Sequence, residues 1–192
     1  VEALPETTVA SSFQLYQDLG LRGEVNFPAF EQALKGFSRY ASGQDRLLVL
    51  IDYTKPSTEK RFYILDLLQK KLLLSTYVAH GRGSGDNYAV AFSNRPGSYQ
   101  SSLGFFRTGD TYMGKNGYSL FLDGLEKGIN DKARERAIVV HGANYADPAV
   151  LKGQQRLGRS LGCPALPPDI SKQVIDTIKG GVLLYIYGLN KA

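Results

Sequence analysis

Arg46-Leu47-Leu48-Val49-Leu50-Ile51-Asp52-Tyr53 is the stretch on which the fold turns. Its aliphatic run, Leu47 to Ile51, and a second one, Val182 to Ile186, are far shorter than the ~20 residues a membrane helix needs and read as buried strands. Downstream, Lys55-Pro56-Ser57 reads as a turn, and Arg61 to Leu67 alternates like a strand. Gln69-Lys70 suits a hairpin into another strand, Lys71 to Ala79, so residues 46–79 predict an antiparallel meander. Upstream the grammar changes. Residues 11–44 read as helical: Ser11 or Ser12 caps a short helix ending at Gly20, and Asn26 with Pro28 opens a second helix in which Phe30, Leu34 and Phe37 recur at helical spacing.

Further along, Asn116-Gly117 is the strongest hairpin signal, joining a strand near Thr111–Met113 to one over Tyr118–Leu122. Pro96-Gly97 predicts a type II turn. Ala137 to Val140 reads as a short buried strand that delivers His141 to its end. A short helix follows Pro148, and Asp169 to Lys179 is amphipathic, with Ile170, Val174, Ile175 and Ile178 on one face and Gly180-Gly181 as its stop. The expectation is a mainly β fold with a few helices. Residues 1–45 are expected to form a helical segment packed on or preceding the domain, and residues 46–192 the main domain.

At 192 residues and 43% hydrophobic content, one domain of this size buries ~70% of its unfolded surface. The formal charge of +5 favours acidic surroundings such as nucleic acid, anionic lipid or anionic envelope polymers. No nucleic-acid module signature accompanies it, so a nucleic-acid partner is not expected. One cysteine excludes an internal disulfide, and with two histidines it is too little for a structural zinc site; neither metal nor cofactor is expected. The first residues carry Glu2 and Glu6 in place of a basic and then apolar leader, which reads as a processed or trimmed product. Nothing in the sequence specifies an oligomeric state.

The candidate chemistry gathers around Cys163, in a glycine-flanked loop 22 positions after His141. A thiol beside an imidazole is a competent nucleophile for acyl transfer once its pKa is lowered. On spacing alone, a buried inert thiol and a satisfied core histidine are the favoured reading. Gly162 allows close backbone approach, and Pro164 lacks an N–H, so oxyanion donors are expected at Gly162 and Cys163. Gly158-Arg159-Ser160-Leu161-Gly162 matches the serine-hydrolase elbow, but both histidines precede it and the stretch before it is polar. Ser160 is therefore expected to support the loop. Asp110, Asp123 and Glu126 offer no distinct carboxylate pair for glycoside hydrolysis, and there is no Trp to stack a sugar.

Ser160-Leu161-Gly162-Cys163 preceded by His141-Gly142 resembles the L,D-transpeptidase catalytic domain of bacterial murein synthesis. Leu161 stands where that family usually has a second histidine, and Pro164-Ala165 replaces its polar tail. A divergent branch is closer. It is similar in Gly-Arg-Ser-x-Gly-Cys-Pro-Ala (Gly158 to Ala165), in Phe92-Ser93-Asn94 with Ser101 to Gly104, and in Arg136 to Ala143. The resemblance spans residues 46–188.

It implies a β-rich sandwich or barrel with the cysteine in a cleft under a hairpin lid, and an exported protein of the periplasm or cell envelope acting on peptidoglycan stem peptides. Cys163 would attack a stem peptide bond, His141 would take the thiol proton, and a second stem's amine would resolve the thioester. A backbone carbonyl is the expected orienter of His141, and His80 is the fallback base. Arg159 and Arg136 are the expected carboxylate-binding residues, with Tyr112, Tyr118 and Tyr145 lining the cleft. The alternatives are an L,D-carboxypeptidase, another Cys/His hydrolase of cell-wall peptides, or a non-catalytic basic module that binds the envelope.

Overall fold

The computed structural model describes residues 9–42 and 45–191; Glu2, Glu6 and the end of the predicted helical stretch at residues 43–44 lie outside them. The first two helices are α1 (Val9–Asp18) and α2 (Phe27–Tyr40). Ser11 and Ser12 fall inside α1 and do not cap it. Pro28 sits in the first turn of α2, where its missing N–H costs nothing. Asn26 precedes α2, and its side chain donates to Asp52 Oδ2 at 2.8 Å, tying the helix start to the end of the first strand.

Eight strands follow: β1 (Leu47–Asp52), β2 (Phe62–Asp66), β3 (Lys71–Thr76), β4 (Gly104–Gly114), β5 (Gly117–Gly124), β6 (Val139–Gly142), β7 (Ala165–Leu166) and β8 (Leu183–Tyr187). They form one sheet in the order β3-β2-β1-β8-β4-β5-β6-β7. The β1-β2-β3 meander is antiparallel as expected, while β1–β8 and β6–β7 are parallel. Just beyond β3, Ala79 exchanges both backbone bonds with Ala165 of β7, at 2.8 and 3.3 Å. That seam brings the two ends of the sheet together into a nearly closed barrel. Edge amides that would otherwise stay unpaired are satisfied there.

Side-chain alternation divides the core in two. Val49, Ile51, Phe62 and Ile64 face an interior cluster with Leu120, Val140 and Leu184, closed by Val174, Ile175 and Ile178 of α3 (Pro168–Ile178). Leu48, Leu50, Tyr63 and Leu65 face the other way, against Phe30, Leu34 and Phe37 of α2. Both β1 and β2 are thus covered on both faces, which is why β1 reads as an unbroken apolar run. It also corrects the reading of β2: all five of its residues are buried, so its alternation separates two cores and not core from water.

The β4–β5 hairpin turns through Lys115-Asn116, with Gly114 paired to Gly117, whose φ is +78°. One extra residue on β4 between Thr108 and Thr111 makes a bulge. Pro96-Gly97 forms its turn, with Gly97 at φ +74° and Ser98 N–H donating to Arg95 O at 3.3 Å. No helix among the described residues is long and apolar enough to cross a membrane.

Candidate functional site

The register runs Tyr112, Ser119, His141, Ala165 across β4, β5, β6 and β7, and Ala79 extends the row across the seam. Residues directly opposite one another share a face. Cys163 lies two positions before Ala165 and so returns to that face beside Val139, itself two positions before His141. Its Sγ accepts from Val139 N–H and donates to Ala137 O, both at 3.5 Å. The thiol thus meets the start of β6, two residues before His141 in the chain.

No hydrogen bond joins thiol and imidazole in this conformation, because the thiol is turned onto the backbone of residues 137–139. Nor is the thiol pre-ionised. Burial pushes Cys163 up, against the opposing pull of the Val139 amide and the Arg136 charge. Burial also pushes His141 down, against its bond to the Gly142 carbonyl. At rest these are a thiol and a neutral imidazole, where the sequence suggested a lowered thiol pKa.

Each histidine has a fixed tautomer. His141 Nδ1 lies 2.9 Å from Gly142 O. A carbonyl only accepts, so Nδ1 carries the proton and Nε2 keeps a lone pair. The orienter is a backbone carbonyl, as anticipated. His80 is the reverse: Arg61 Nη2, a donor only, meets its Nδ1 at 2.9 Å, and its Nε2 faces Gly85 O at 3.3 Å. Burial and the Arg61 charge lower His80 to about 3. With both nitrogens engaged it has nothing left to accept a proton, and the fallback base is removed.

The cysteine loop is held by short bonds. Ser160 Oγ donates to Cys163 O at 2.6 Å and accepts from Gly162 N–H at 3.1 Å, the loop-supporting role expected of it. The Gly162 amide is thereby occupied, while no hydrogen bond of the Cys163 amide is found among the described residues. Gly162 sits at φ +126°, where a Cβ would meet Ile138 Cδ1 at 2.9 Å and Gln100 O at 3.0 Å. Across the seam, a Cβ on Gly81 would lie 2.9 Å from Gly162 Cα. Ser160 N–H donates to His80 O and Arg82 N–H to Ser160 O, at 3.0 and 2.8 Å. The Gly81–Gly85 stretch is thus the bed of the cysteine loop, a role that its glycine content alone did not reveal.

The expected substrate residues divide. Tyr145 lies by the site; burial first, then the Cys163 charge, pushes its hydroxyl up to about 12. Tyr118 does not belong with it. As a neighbour of Ser119 it points to the opposite face, packs on the interior cluster, and donates to Asp176 Oδ1 at 2.6 Å. Tyr112, opposite Ser119 and stacked on Phe121 at 4.4 Å, is the tyrosine on the His141 row. Arg159 reaches Gly85 O at 3.0 Å and pairs loosely with Asp86, which also binds Arg156. Arg136 is turned inward and spends its donors on four neutral oxygens, and so is not free to clamp a carboxylate. Two of the three surveyed carboxylates are occupied: Asp123 is held by Arg134, and Glu126 accepts the Phe105 amide at 2.6 Å.

A family model described as the L,D-transpeptidase catalytic domain matches residues 21–187. Among solved structures, a point mutant of the helical cell shape determining protein Pgp2 from Campylobacter jejuni is similar at 16% identity and a TM-score of 0.50, covering 77% of this chain and 49% of that one. An L,D-transpeptidase from Mycobacterium smegmatis is similar at 13% identity and 0.46, over 74% of this chain and 59% of that one. One from Stackebrandtia nassauensis shares 15% identity at 0.45, over 94% and 78%. These likenesses concern the fold. The chain spans about half to three-fifths of the first two. No curated protein matches it.

Proposed function

This chain belongs to the L,D-transpeptidase catalytic domain family, and from that premise we propose that it is a cysteine acyltransferase acting on peptidoglycan stem peptides, with Cys163 as nucleophile and His141 as base. The single observation that carries the assignment of roles is the β6–β7 register. It pairs His141, whose Nε2 keeps a lone pair, with Ala165, two residues after Cys163, and the thiol bonds the Val139 amide of the same strand β6. In apo enzymes such contacts are often long and tighten with substrate bound.

The reaction runs in two acyl transfers. As Sγ attacks the carbonyl carbon of a stem peptide bond, its proton passes to His141 Nε2. The carbonyl oxygen takes up negative charge near the Cys163 amide. Collapse breaks the C–N bond, His141 returns the proton to the departing amine of the terminal D-residue, and a thioester remains. An acceptor amine then attacks the thioester, His141 takes its proton, and the thiol reforms with a new peptide bond. Because both groups start neutral, proton transfer accompanies attack. The Gly142 carbonyl favours the imidazolium formed on the way.

Residues 46–192 carry this apparatus, and the N-terminal helical segment is their outer layer. Substrate contacts fall to Tyr145, Tyr112 and Arg159. The cell envelope, reached by export, is where such a substrate lies. If water resolves the thioester in place of the amine, the same site is an L,D-carboxypeptidase.

Incubation with purified disaccharide-tetrapeptides and mass spectrometry tests this. Cross-linked dimers are expected, absent with Cys163→Ala. Trimmed tripeptides alone would assign the hydrolase. Substrate unchanged by the wild-type chain refutes both and leaves the binding module.

A further inference from the structure

We propose that Arg136 is the fixed internal cation of the site, a positioning residue whose unneutralised charge holds the Cys163 thiolate as it forms. Its guanidinium donates to Ser93 O and Ser102 Oγ through Nη1 and to Gln100 O and Ser98 Oγ through Nη2, at 2.7, 2.6, 2.7 and 3.2 Å. All four acceptors are neutral, and no carboxylate among the described residues pairs with it. An ordinary half-buried arginine would be expected to pair with an acid, since an unpaired charge is costly to desolvate.

Here the charge is aimed at the cysteine loop. Nη2 would stand 3.4 Å from a Cβ on Gly162. The next residue along, Ala137, is held at φ +53° and presents the carbonyl that meets Sγ. The four bonds also anchor the irregular segment 93–102, so the cation cannot swing away as the thiol ionises.

Other groups around the thiol cannot replace it. His141 on β6 is neutral until it receives the proton. Tyr53, at the end of β1, and Tyr145, in the turn after β6, are both pushed up to about 12 by burial and stay neutral. His80, beyond the seam, is lowered to about 3, and Arg61 behind it, whose acceptors Val78 O, Lys55 O and His80 Nδ1 are also neutral, lies on the far side of that ring; the charge that pulls on the Cys163 thiol is that of Arg136. Arg136 and Cys163 are also coupled in both directions: each charge favours the other.

The inference rests on Cys163 being the nucleophile but not on its substrate, so the test uses a small electrophile. Iodoacetamide alkylation of the native chain is followed against pH by mass spectrometry, for wild type, Arg136→Gln and Arg136→Lys. The Gln variant should move the midpoint of the alkylation profile up by about one pH unit, slowing the reaction ~10-fold at pH 7. The Lys variant, cationic but with a different shape, should stay within about threefold of wild type. Ser102→Ala, which removes one bond and keeps the charge, should lower thermal stability and leave the midpoint where it is. A folded Gln variant with an unmoved midpoint overturns the inference. Should that variant fail to fold, a ~10-fold loss in folded Arg136→Lys overturns it instead. A wild-type thiol that stays unreactive at every pH until denatured would sink the nucleophile assignment itself.

Discussion

His80 and His141 approach the two-residue strand β7 from opposite sides, one beyond the seam at Ala79 and the other on β6. Both are buried, and both end or follow a strand. Their hydrogen bonds separate them. Arg61 fixes His80 as the tautomer protonated on Nε2, while the Gly142 carbonyl fixes His141 as the one protonated on Nδ1. The first has both nitrogens engaged and a cation at its back; the second keeps a lone pair and has no positive neighbour of its own. Around one cysteine, then, the same side chain serves as a strut on one flank and as a proton acceptor on the other.

The largest break in that comparison comes from removing each ring in turn. His141→Ala should cut turnover by about 10²–10⁴-fold, the usual contribution of a general base, with a modest change in stability. His80→Ala should do the opposite. It opens a cavity and strips Arg61 of a partner, costing ~2–4 kcal/mol, while turnover of the folded fraction stays within a few-fold. Paired assays of turnover and denaturant midpoint decide this, and an inactive but stable His80→Ala protein would reverse the roles.

Acid sharpens the contrast. Burial and the Arg61 charge lower His80 to about 3 in the fold against an ordinary value of 6.5, so below pH 6.5 the unfolded chain binds a proton that the folded chain refuses. A group lowered by folding gives stability that is full above its unfolded pKa and is lost as pH falls. The expected loss approaches ~1.4 kcal/mol per pH unit between about pH 6 and 4. His80→Ala should flatten that slope. His141, also lowered, adds a smaller slope of the same sign and sets an acid limb of turnover below the usual histidine range. Denaturant melts at several pH values, run on both variants, separate the two contributions.

Loop anchoring is the next smaller effect. Ser160 Oγ serves Cys163 O and Gly162 N–H, while the Ser160 amide bonds His80 O, so this serine links the cysteine to the strut side. Ser160→Ala should cost ~1–2 kcal/mol. Alkylation of Cys163 should persist, which a serine-nucleophile reading would not require and a cysteine reading does.

The strongest local signals were legible in the sequence: the β1 run, the Pro28 helix start, the Asn116-Gly117 hairpin and the α3 stripe each depend on a few neighbouring residues. So was the approach of the Cys163 loop to β6, because a motif records what distant strands bring together. The bounds of what a strand faces were not. Tyr63 and Leu65 of β2 read as half of an alternation because the helical layer that buries them lies some 30 residues away in the chain. The Arg61–His80 bond joins residues that flank the β2–β3 hairpin, and Arg136 reads as a carboxylate clamp until the loop carrying Ser93 to Ser102 folds over it. Register, which one residue's slip inverts, decided the rest.

Tyr118 and Tyr112 show that last point, and they carry the smallest prediction. Both were plausible cleft residues, yet the Ser119–His141 pairing turns Tyr118 to the α3 side and leaves Tyr112 on the histidine row. Tyr118→Phe removes one hydroxyl bond to Asp176, whose carboxyl is held to about 2 chiefly by Lys172 and then by this tyrosine. Lys172 and Lys179 still pair with that carboxylate, so the melting temperature should hardly change, with KM unmoved. Tyr112→Ala strips the ring stacked on Phe121 beside the histidine row and should raise KM several-fold. A KM shift with Tyr118→Phe and none with Tyr112→Ala would mean that substrate meets the other face of the sheet, and would put His141 out of its reach.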